Sequence, residues 1–391
     1  MSNHIGGNAK VVRNINRATI LNIIREKQPI SRVAIAKLIG LNKSTVSSIV
    51  NDLLNENLLN EHEIKDQNIG RNPIQLSLKT DVNFVGAVNI DYLSTHIGIF
   101  DINGTLIRSR VIDTDMNAMK KFLIQCADSL AQLKKEIKVK RLKGVGVTVT
   151  GIIDTENSKL SSAHFGVKDI DIGKMFRDIM SAEESIIFEN NANSCALAEK
   201  WFGKNDSTDF VYMWIGDGIG AGIIVNGQLM RGEHFSAGEL GRINMFQLND
   251  SQSYKEYDNL ERFASNEAIL NKYFQFSGAE KEPYSENRLR EIISKALQGD
   301  DIAVNVLLRT SHYLGLGLAG IIQVLDPQLI ILGGIITDAW DIIHPELERQ
   351  IYQWIDHKIE LKRTTFDVKP GLIGAAALPI MDIFTDYTIT K

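Results

Sequence analysis

Residues 31–54 have the sequence SRVAIAKLIGLNKSTVSSIVNDLL, which predicts two short helices joined by a tight turn at Gly40. Glycine gives such a turn the backbone freedom that it needs. Ser31 and Asn42 are expected to cap the first and the second helix. A short polar side chain in that position can accept a backbone N–H that the first helical turn leaves free. The stretch therefore predicts a helix-turn-helix unit.

The second of these helices has two chemically different faces. Its apolar residues recur at spacings of three and four, which predicts a buried side made of Val46, Ile49, Val50, Leu53 and Leu54. Its other side carries small hydrogen-bonding groups and one cation. This is the mixture with which a recognition helix meets base edges and phosphates in a major groove. A solvated face on an ordinary helix pair would have a similar composition, so the flanking sequence has to decide between the two.

The flanks supply a further helix and a hairpin. Residues 11–26 have a helical apolar pattern that places Arg13 and Arg17 on one side. A turn at 68–73, followed by a strand of alternating polarity, predicts a β-hairpin. Three helices followed by a hairpin are typical of a winged helix-turn-helix, which we predict over residues 1–78.

Charge distribution favours DNA as the partner of this module. Residues 1–57 contain eight Lys and Arg against three Asp and Glu, a net charge of +5 in a chain whose total is −5. At the predicted wing tip Arg71 is placed to contact a DNA backbone or a minor groove, although a solvated arginine would fit the turn equally well. The residues predicted to bind DNA are Arg32, Lys43, Ser44, Thr45, Ser47, Ser48, Asn51 and Arg71.

Composition restricts the remaining classes of protein. The chain has 391 residues, 44% of them hydrophobic, which is enough for two or three domains. No apolar run approaches the length of about 18 residues that a membrane span needs, and the N-terminus lacks the apolar segment of a signal peptide. Cys126 and Cys195 are the two cysteines, which suits a reducing compartment, so we expect a cytoplasmic protein that does not associate with membranes.

Residues beyond the module predict an α/β body. Strand patterns and helical patterns alternate from residue 84 onwards, in two successive sets, and the predicted helices include residues 260–273 and 339–358. Each set opens on a strand, a turn and a second strand. Two related lobes around a cleft are therefore expected.

Several motifs give this chain a resemblance to the ROK family of repressors, uncharacterised frames and sugar kinases. They occur in the family's order as FENNANSCALAEKWFG, IGDGIGAGIIVNGQLMRG, SAGELG, LERFAS and LIILGG, after a GRNP wing tip. The resemblance is clearest to the xylose-repressor branch. It implies a two-lobed actin-like or hexokinase-like ATPase body, here with lobe 1 at 84–190 completed by a helix at 371–386, lobe 2 at 191–370 and a linker at 79–83. It also implies a homodimer that binds a palindromic operator in double-stranded DNA and releases it when a sugar binds.

The residues that kinases of the family use for phosphoryl transfer have changed in this chain. The first phosphate-binding turn, a glycine-rich Asp-x-Gly-Gly-Thr in kinases, is replaced by a segment that starts at Asp91 and lacks glycine. In the second turn Asp217 replaces a threonine. The segment Glu-Asn-Asp, whose aspartate is the catalytic base, ends here in Asn191, and an amide cannot accept the proton. We therefore expect no kinase activity and no catalytic residue.

The zinc and sugar positions have also diverged. The family's zinc site uses one His and three Cys, and these positions hold Arg242, Gln252, Tyr254 and Asn259. We expect no metal and no cofactor. The positions that match or replace the family's sugar contacts are His164, Asn190, Asn191, Glu239, Arg242 and Glu261. A pairing of Arg242 with one of the two glutamates is expected, which favours an unliganded site, although an anionic ligand could use the same arginine.

The sequence thus predicts a DNA-binding transcriptional regulator of the repressor type, with an altered sugar site. Two alternatives remain open at this point. The protein could be an anti-repressor that contacts a second regulatory protein, for example in the control of antibiotic resistance. It could also be a sugar kinase.

Overall fold

A computed structural model describes residues 9–63, 74–180, 184–203, 205–248, 254–366 and 370–385. Its N-terminal elements are α1 Ala9–Lys27, β1 Ile30–Ser31, α2 Arg32–Ile39, α3 Lys43–Asn55, β2 Leu59–Glu63 and β3 Ile74–Leu78. The three strands form one antiparallel sheet in the order β1–β3–β2. This arrangement of three helices with a hairpin is a winged helix-turn-helix, as predicted. The predicted tip at 68–73 lies outside the described residues.

The apolar periodicity of the three helices explains why the module folds. Residues from all three are fully buried in one small core, among them Ile20, Ile24, Ile35 and Leu53. The predicted buried face of α3 is confirmed for four of its five residues, whereas Leu54 is only half-buried.

The first half of the body alternates strands and helices. Its elements are β4 Phe84–Ile90, β5 Ser94–Asp101, β6 Leu106–Asp113, α4 Met119–Glu136, β7 Val145–Val149, β8 Ile152–Asp154, β9 Lys159–Ser162, β10 Val167–Asp171, α5 Ile172–Ile179, β11 Ile186–Asn190 and α6 Asn191–Phe202. A five-stranded sheet has the order β11–β7–β4–β5–β6, and β4 and β5 form an antiparallel hairpin. This hairpin is the strand, turn and second strand that the sequence predicts at the start of the first set.

The second half repeats this plan. Its elements are β12 Phe210–Ile215, β13 Ile219–Val225, β14 Gln228–Leu229, a 3₁₀ helix Leu240–Arg242, β15 Asn244–Leu248, β16 Tyr254–Asn259, α7 Leu260–Ala264, α8 Asn266–Ser277, α9 Glu286–Leu297, α10 Asp301–Leu325, β17 Leu329–Gly333, a 3₁₀ helix Ile335–Ala339, α11 Trp340–Ile351, β18 Glu360–Arg363 and α12 Pro370–Phe384. A second five-stranded sheet has the order β14–β13–β12–β17–β18. It also contains an antiparallel hairpin, β12–β13, next to the parallel strands β17 and β18.

The chain divides into two compact units. Unit 1 comprises Met1–Thr148, Asp171–Phe188 and Ala375–Lys391, and unit 2 comprises Val149–Ile170 and Glu189–Gly374. The winged helix-turn-helix belongs to unit 1 together with the first sheet. Residues 149–170, which we predicted for lobe 1, belong to unit 2.

Two predicted helices differ from the observed ones. The helix expected from residue 260 to residue 273 is divided at Ser265, whose extended backbone ends α7 and whose hydroxyl caps α8 by accepting the N–H of Ala268. The helix expected over residues 339–358 ends at Ile351. In both cases the apolar pattern continues beyond the point where the backbone turns.

Candidate nucleic-acid interface and candidate ligand site

Local hydrogen bonds fix the geometry of the helix-turn-helix. Ser31 accepts the N–H of Ala34 at 3.2 Å, which confirms its predicted role as the cap of α2. Gly40 has a φ of 68°, the left-handed conformation that favours glycine. Asn42 occupies the cap position of α3, but its side chain makes no capping hydrogen bond, so that part of the prediction is wrong. Its carbonyl accepts the N–H of Val46 instead.

The polar face of α3 is accessible. Lys43, Ser44, Ser48 and Asn51 are exposed, and Thr45 and Ser47 are half-buried. The buried side of α3 anchors the helix, so the predicted DNA-contacting side chains of this helix lie on one outer surface. Arg71 lies outside the described residues.

Arginines around this surface are paired with carboxylates. Arg32 donates to Glu61 on β2 at 2.7 Å, which joins the start of α2 to the wing. On α1, Arg13 pairs with Asp52. Exposed pairs of this kind contribute about 0.2–1 kcal/mol each, so a competing phosphate can replace either carboxylate. The predicted role of Arg32 in DNA binding stays a prediction.

The winged module is fixed to the rest of unit 1 by side-chain amides. Asn22 of α1 donates to the carbonyl of Phe384 in α12 at 3.2 Å. Gln28 donates to Asn103, in the turn between β5 and β6, at 3.1 Å and accepts the N–H of Leu78 at 2.8 Å. These contacts join residues up to 362 positions apart, which no local sequence signal indicates.

The segment predicted as a linker contains a buried anchor. Asn83 is 1% exposed and donates to the carbonyls of Asn57 and Lys79, each at 2.7 Å. Its own carbonyl accepts the N–H of Ile102. The connection between the module and the first sheet is thereby hydrogen-bonded on both sides.

The predicted ligand residues all belong to unit 2. Arg242 pairs with Glu239 at 2.9 Å, which confirms the expected arginine–glutamate pairing. More than half of the Arg242 side chain nevertheless remains exposed. His164 lies 3.6 Å from Glu261. Burial raises the pKa of Glu239, and the charge of Glu261 adds to this effect, while Arg242 and His164 oppose it.

Gly218 allows His164 and Glu261 to approach the β12–β13 turn. A Cβ atom at this position would lie 2.8 Å from His164 Nε2 and 2.9 Å from Glu261 Oε2. The same Oε2 accepts the N–H of Ile219 at 2.9 Å. The glutamate is therefore engaged by the turn as well as by the histidine.

The two asparagines that end β11 and begin α6 have local partners. Asn190 caps α6 by accepting the N–H groups of Ala192 at 2.8 Å and Asn193 at 3.1 Å, and it donates to the carbonyl of Gly151 at 2.7 Å. Asn191 donates to Thr150 Oγ1 at 3.0 Å. The oxygen of Asn190 is thus committed to the helix.

A buried ion pair, which the sequence analysis did not identify, supports this segment. Glu189 is 2% exposed, and its Oε2 accepts a hydrogen bond from Arg231 Nε at 2.8 Å and lies 2.7 Å from Arg231 Nη2. Its Oε1 accepts from the N–H of Asn190 at 2.9 Å and from Asn193 Nδ2 at 3.0 Å. The pair joins residues 42 positions apart. The one available signal was an acidic residue directly after the apolar segment Ile186–Phe188.

The two turns that correspond to phosphate-binding turns carry acidic residues. In unit 1, Asp91 accepts the N–H of Tyr92 at 2.9 Å in the β4–β5 turn. In unit 2, Asp217 lies in the β12–β13 turn, where the N–H of Gly216 donates to the carbonyl of Gly218. Burial and the nearby charge of Asp217 raise the pKa of Tyr284. Its hydroxyl accepts from Asn266 Nδ2 at 3.1 Å.

The positions of the family's zinc ligands do not fit a zinc ion. A guanidinium occupies one of them at Arg242, and it is already paired with Glu239. Asn259 caps α7 by accepting the N–H of Arg262 at 3.1 Å. Gln252 lies outside the described residues. Across the described part of the chain, no three or more His, Cys, Asp and Glu side chains form a group that could hold a metal ion.

Comparison with known proteins identifies the body and the module separately. The model described as "ROK family" matches residues 85–381, and the model described as "Winged helix-turn-helix DNA-binding" matches residues 13–60. The chain belongs to the ROK family.

Individual relatives agree with this assignment. The xylose repressor of Bacillus subtilis (strain 168) is 28% identical over 386 residues, covering 96% of this chain and 97% of the relative. The putative xylose repressor of Caldicellulosiruptor sp. (strain Rt8B.4) is 27% identical over 401 residues, covering 97% and 100%. The N-acetylglucosamine repressor of Escherichia coli O157:H7 is 25% identical over 354 residues, covering 88% and 86%.

Solved structures share the fold. A ROK family transcriptional regulator, described as a homolog of the E. coli MLC protein, has a TM-score of 0.80 at 24% identity, covering 95% of this chain and 97% of its own. A ROK family glucokinase from Streptomyces griseus, in complex with glucose and AMPPNP, has a TM-score of 0.65 at 21% identity. It covers 76% of this chain and 99% of its own. The two-lobed ROK body preceded by a winged helix-turn-helix is therefore the fold of this protein.

Proposed function

We propose that this protein is a transcriptional repressor of the ROK family that binds double-stranded DNA through α3 and the wing. The observation that carries the proposal is the exposed polar face of α3, with Lys43 at the first helical position and its apolar side buried. Cations and small hydroxyl groups at the start of such a helix meet phosphates and base edges. The repressor names of the three relatives described above support the same function.

The operator is expected to be palindromic and the protein a homodimer. A helix-turn-helix covers only a few base pairs, and pairing two modules on two half-sites about one helical turn apart gives the specificity that one lacks. Light scattering of the free protein and of its complex with DNA tests this, with two chains per operator as the expected result.

Among the described residues, we find no helix that combines the length and the hydropathy needed to span a bilayer.

Phosphoryl transfer is not expected from the body. Asn191 replaces the catalytic aspartate of family kinases, and its amide donates to Thr150. Asp217 places a carboxylate in the second phosphate turn, where it would repel a nucleotide. A coupled ATPase assay with hexoses and amino sugars should therefore detect no turnover, and turnover with any sugar would refute this part of the proposal.

The ligand site is proposed to be altered, without zinc and without the family's usual sugar contacts. Arg242 occupies a former ligand position, and the pairs Arg242–Glu239 and His164–Glu261 satisfy groups that would otherwise bind hydroxyls. A thermal-shift screen with sugars and sugar phosphates tests this directly. A shift above about 2 °C for xylose or glucose would contradict it, because a ligand that binds the native state raises its stability by mass action.

The test of DNA binding uses a variant of the exposed face. Lys43, Thr45 and Ser48 are replaced by Ala together, and binding is measured on duplexes enriched from a random pool by the wild-type protein. Each base-reading position should contribute about 1–3 kcal/mol, so binding should weaken by at least tenfold. Replacing Lys120 and Lys121, two exposed residues of α4, is the matched control and should leave binding unchanged. Unchanged operator binding in the triple variant would refute the assignment.

The anti-repressor alternative receives no support from the relatives described above. It predicts a stoichiometric second regulator in a pull-down and no enrichment of any duplex by the protein alone. The same pair of measurements therefore separates the two functions.

A further inference from the structure

Two ion pairs join α1 to the recognition helix in one register. Arg13 pairs with Asp52 and Arg17 pairs with Glu56, so residues four apart on α1 contact one residue in the last turn of α3 and the residue that caps its C-terminus. Each pair spans 39 positions in the sequence. The register places one arginine close to the predicted DNA-contacting face and the other one turn farther away.

Arg13 is the arginine that reaches this face. Its Nη2 donates to Ser48 Oγ at 3.2 Å as well as to Asp52. Ser48 is exposed and belongs to the predicted DNA-contacting set. The Arg13 side chain is 49% exposed. Both contacts use Nη2, so neither of them engages the N–H donors on Nε and Nη1.

Arg17 has a different environment although it makes the same kind of pair. Its side chain is 31% exposed and lies 2.5 Å from Glu56. It lines a pocket together with Lys143 and Asp382 of the body part of unit 1. This arginine therefore faces the junction with the body.

We propose that Arg13 contacts a backbone phosphate of the DNA beside the groove that α3 enters. The inference rests on the proposed DNA binding. A guanidinium held by Ser48 and Asp52 has lost much of its rotational freedom, and its free donors match the geometry of a phosphate. Helix α1 thereby supplies a phosphate contact that the helix-turn-helix pattern alone does not indicate.

The experiment measures how the affinity of the full chain for DNA depends on salt. The probe is a duplex enriched from a random pool by the wild-type protein, and log Kobs is measured between 50 and 200 mM salt. The variants are Arg13→Gln, Arg13→Lys and Arg17→Gln. Glutamine removes the charge but can still donate a hydrogen bond to the neighbouring carboxylate, so the folded module is kept, and thermal unfolding verifies this.

Loss of one phosphate contact reduces the salt slope by about 0.9 per protomer. Arg13→Gln should show this reduction, which corresponds to about a 3.5-fold smaller loss of affinity per protomer across the fourfold salt range. Arg13→Lys and Arg17→Gln should keep the wild-type slope. An unchanged slope in Arg13→Gln, or an equal reduction in Arg17→Gln, would overturn the inference while leaving DNA binding intact. A wild-type protein that enriches no duplex would refute DNA binding itself, and this inference with it.

Discussion

Removing Arg231 should destabilise unit 2 through the carboxylate that remains. In the native protein Glu189 is almost fully buried, and its Oε2 accepts a hydrogen bond from Arg231 Nε and lies 2.7 Å from Arg231 Nη2. Arg231→Ala therefore leaves a buried charge whose remaining donors, Asn190 N–H and Asn193 Nδ2, both serve the other oxygen. Removing one partner of a buried pair typically costs about 3–5 kcal/mol.

The expected magnitude lies below that range. The Arg231 side chain is 38% exposed, so water can enter the vacated space and solvate part of the carboxylate. We expect a loss of about 2–3 kcal/mol in the free energy of unfolding. With a urea dependence of about 2–3 kcal/mol per molar, the unfolding midpoint should fall by about 1 M.

Tryptophan fluorescence gives an unfolding assay that is specific to unit 2. The chain has four tryptophans, at positions 201, 214, 340 and 354, and all four lie within unit 2. Urea unfolding followed by tryptophan emission thus reports on the unit that contains the ion pair. Arg262→Ala is the matched control, because Arg262 is 73% exposed and its pair with Asp258 should contribute well below about 1 kcal/mol.

A second substitution separates the buried charge from lost packing. Glu189→Gln in the Arg231→Ala background removes the uncompensated charge while keeping an oxygen that can accept the bonds from Asn190 and Asn193. This double variant should recover at least half of the lost stability. An Arg231→Ala protein within about 0.5 kcal/mol of wild type, or a double variant less stable than the single one, would refute the reasoning.

Three further perturbations test other parts of the structure. Gly218→Ala should displace His164, because the new Cβ would lie 2.8 Å from its Nε2. The imidazole NMR signals should shift, and stability should fall by no more than about 1 kcal/mol because the partly exposed side chain can move. An unshifted imidazole would contradict the geometry. Ser31→Ala should lower the free energy of unfolding by about 1 kcal/mol, measured by thermal unfolding, because it removes the cap of α2. Asn42→Ala removes no capping hydrogen bond and should cost less. Equal losses would contradict the two cap geometries. The raised pKa of Glu239 means that its carboxyl binds a proton more tightly in the native state than in the unfolded state. The free energy of unfolding should therefore decline as the pH rises from the pKa of an unfolded glutamate, about 4.3, through the native pKa. Glu239→Gln should flatten that decline in urea unfolding followed by fluorescence, and an unchanged pH profile would show that this carboxyl does not cause it.

Sequence alone determined the helix-turn-helix and much of the body's alternation of strands and helices. The reason is that these features depend on neighbours within a few residues: the period of the apolar positions in α3, the capping hydroxyl of Ser31 and the left-handed turn at Gly40. The same dependence on near neighbours explains why two predicted helices extended beyond the observed helix ends. The apolar pattern runs through Ser265, and only the packed chain ends one helix there and begins the next.

The candidate sites depended on tertiary structure to a greater degree. Sequence predicted the outward polar face of α3, but a contact across 35 positions brings Arg13 to Ser48, and no local pattern indicates that register. Likewise, the motifs located Glu189, whereas only the fold showed that Arg231 neutralises it. A side chain's chemistry is set by its sequence position, but its charge partners are set by which distant segments pack together, and that was decided by the tertiary structure.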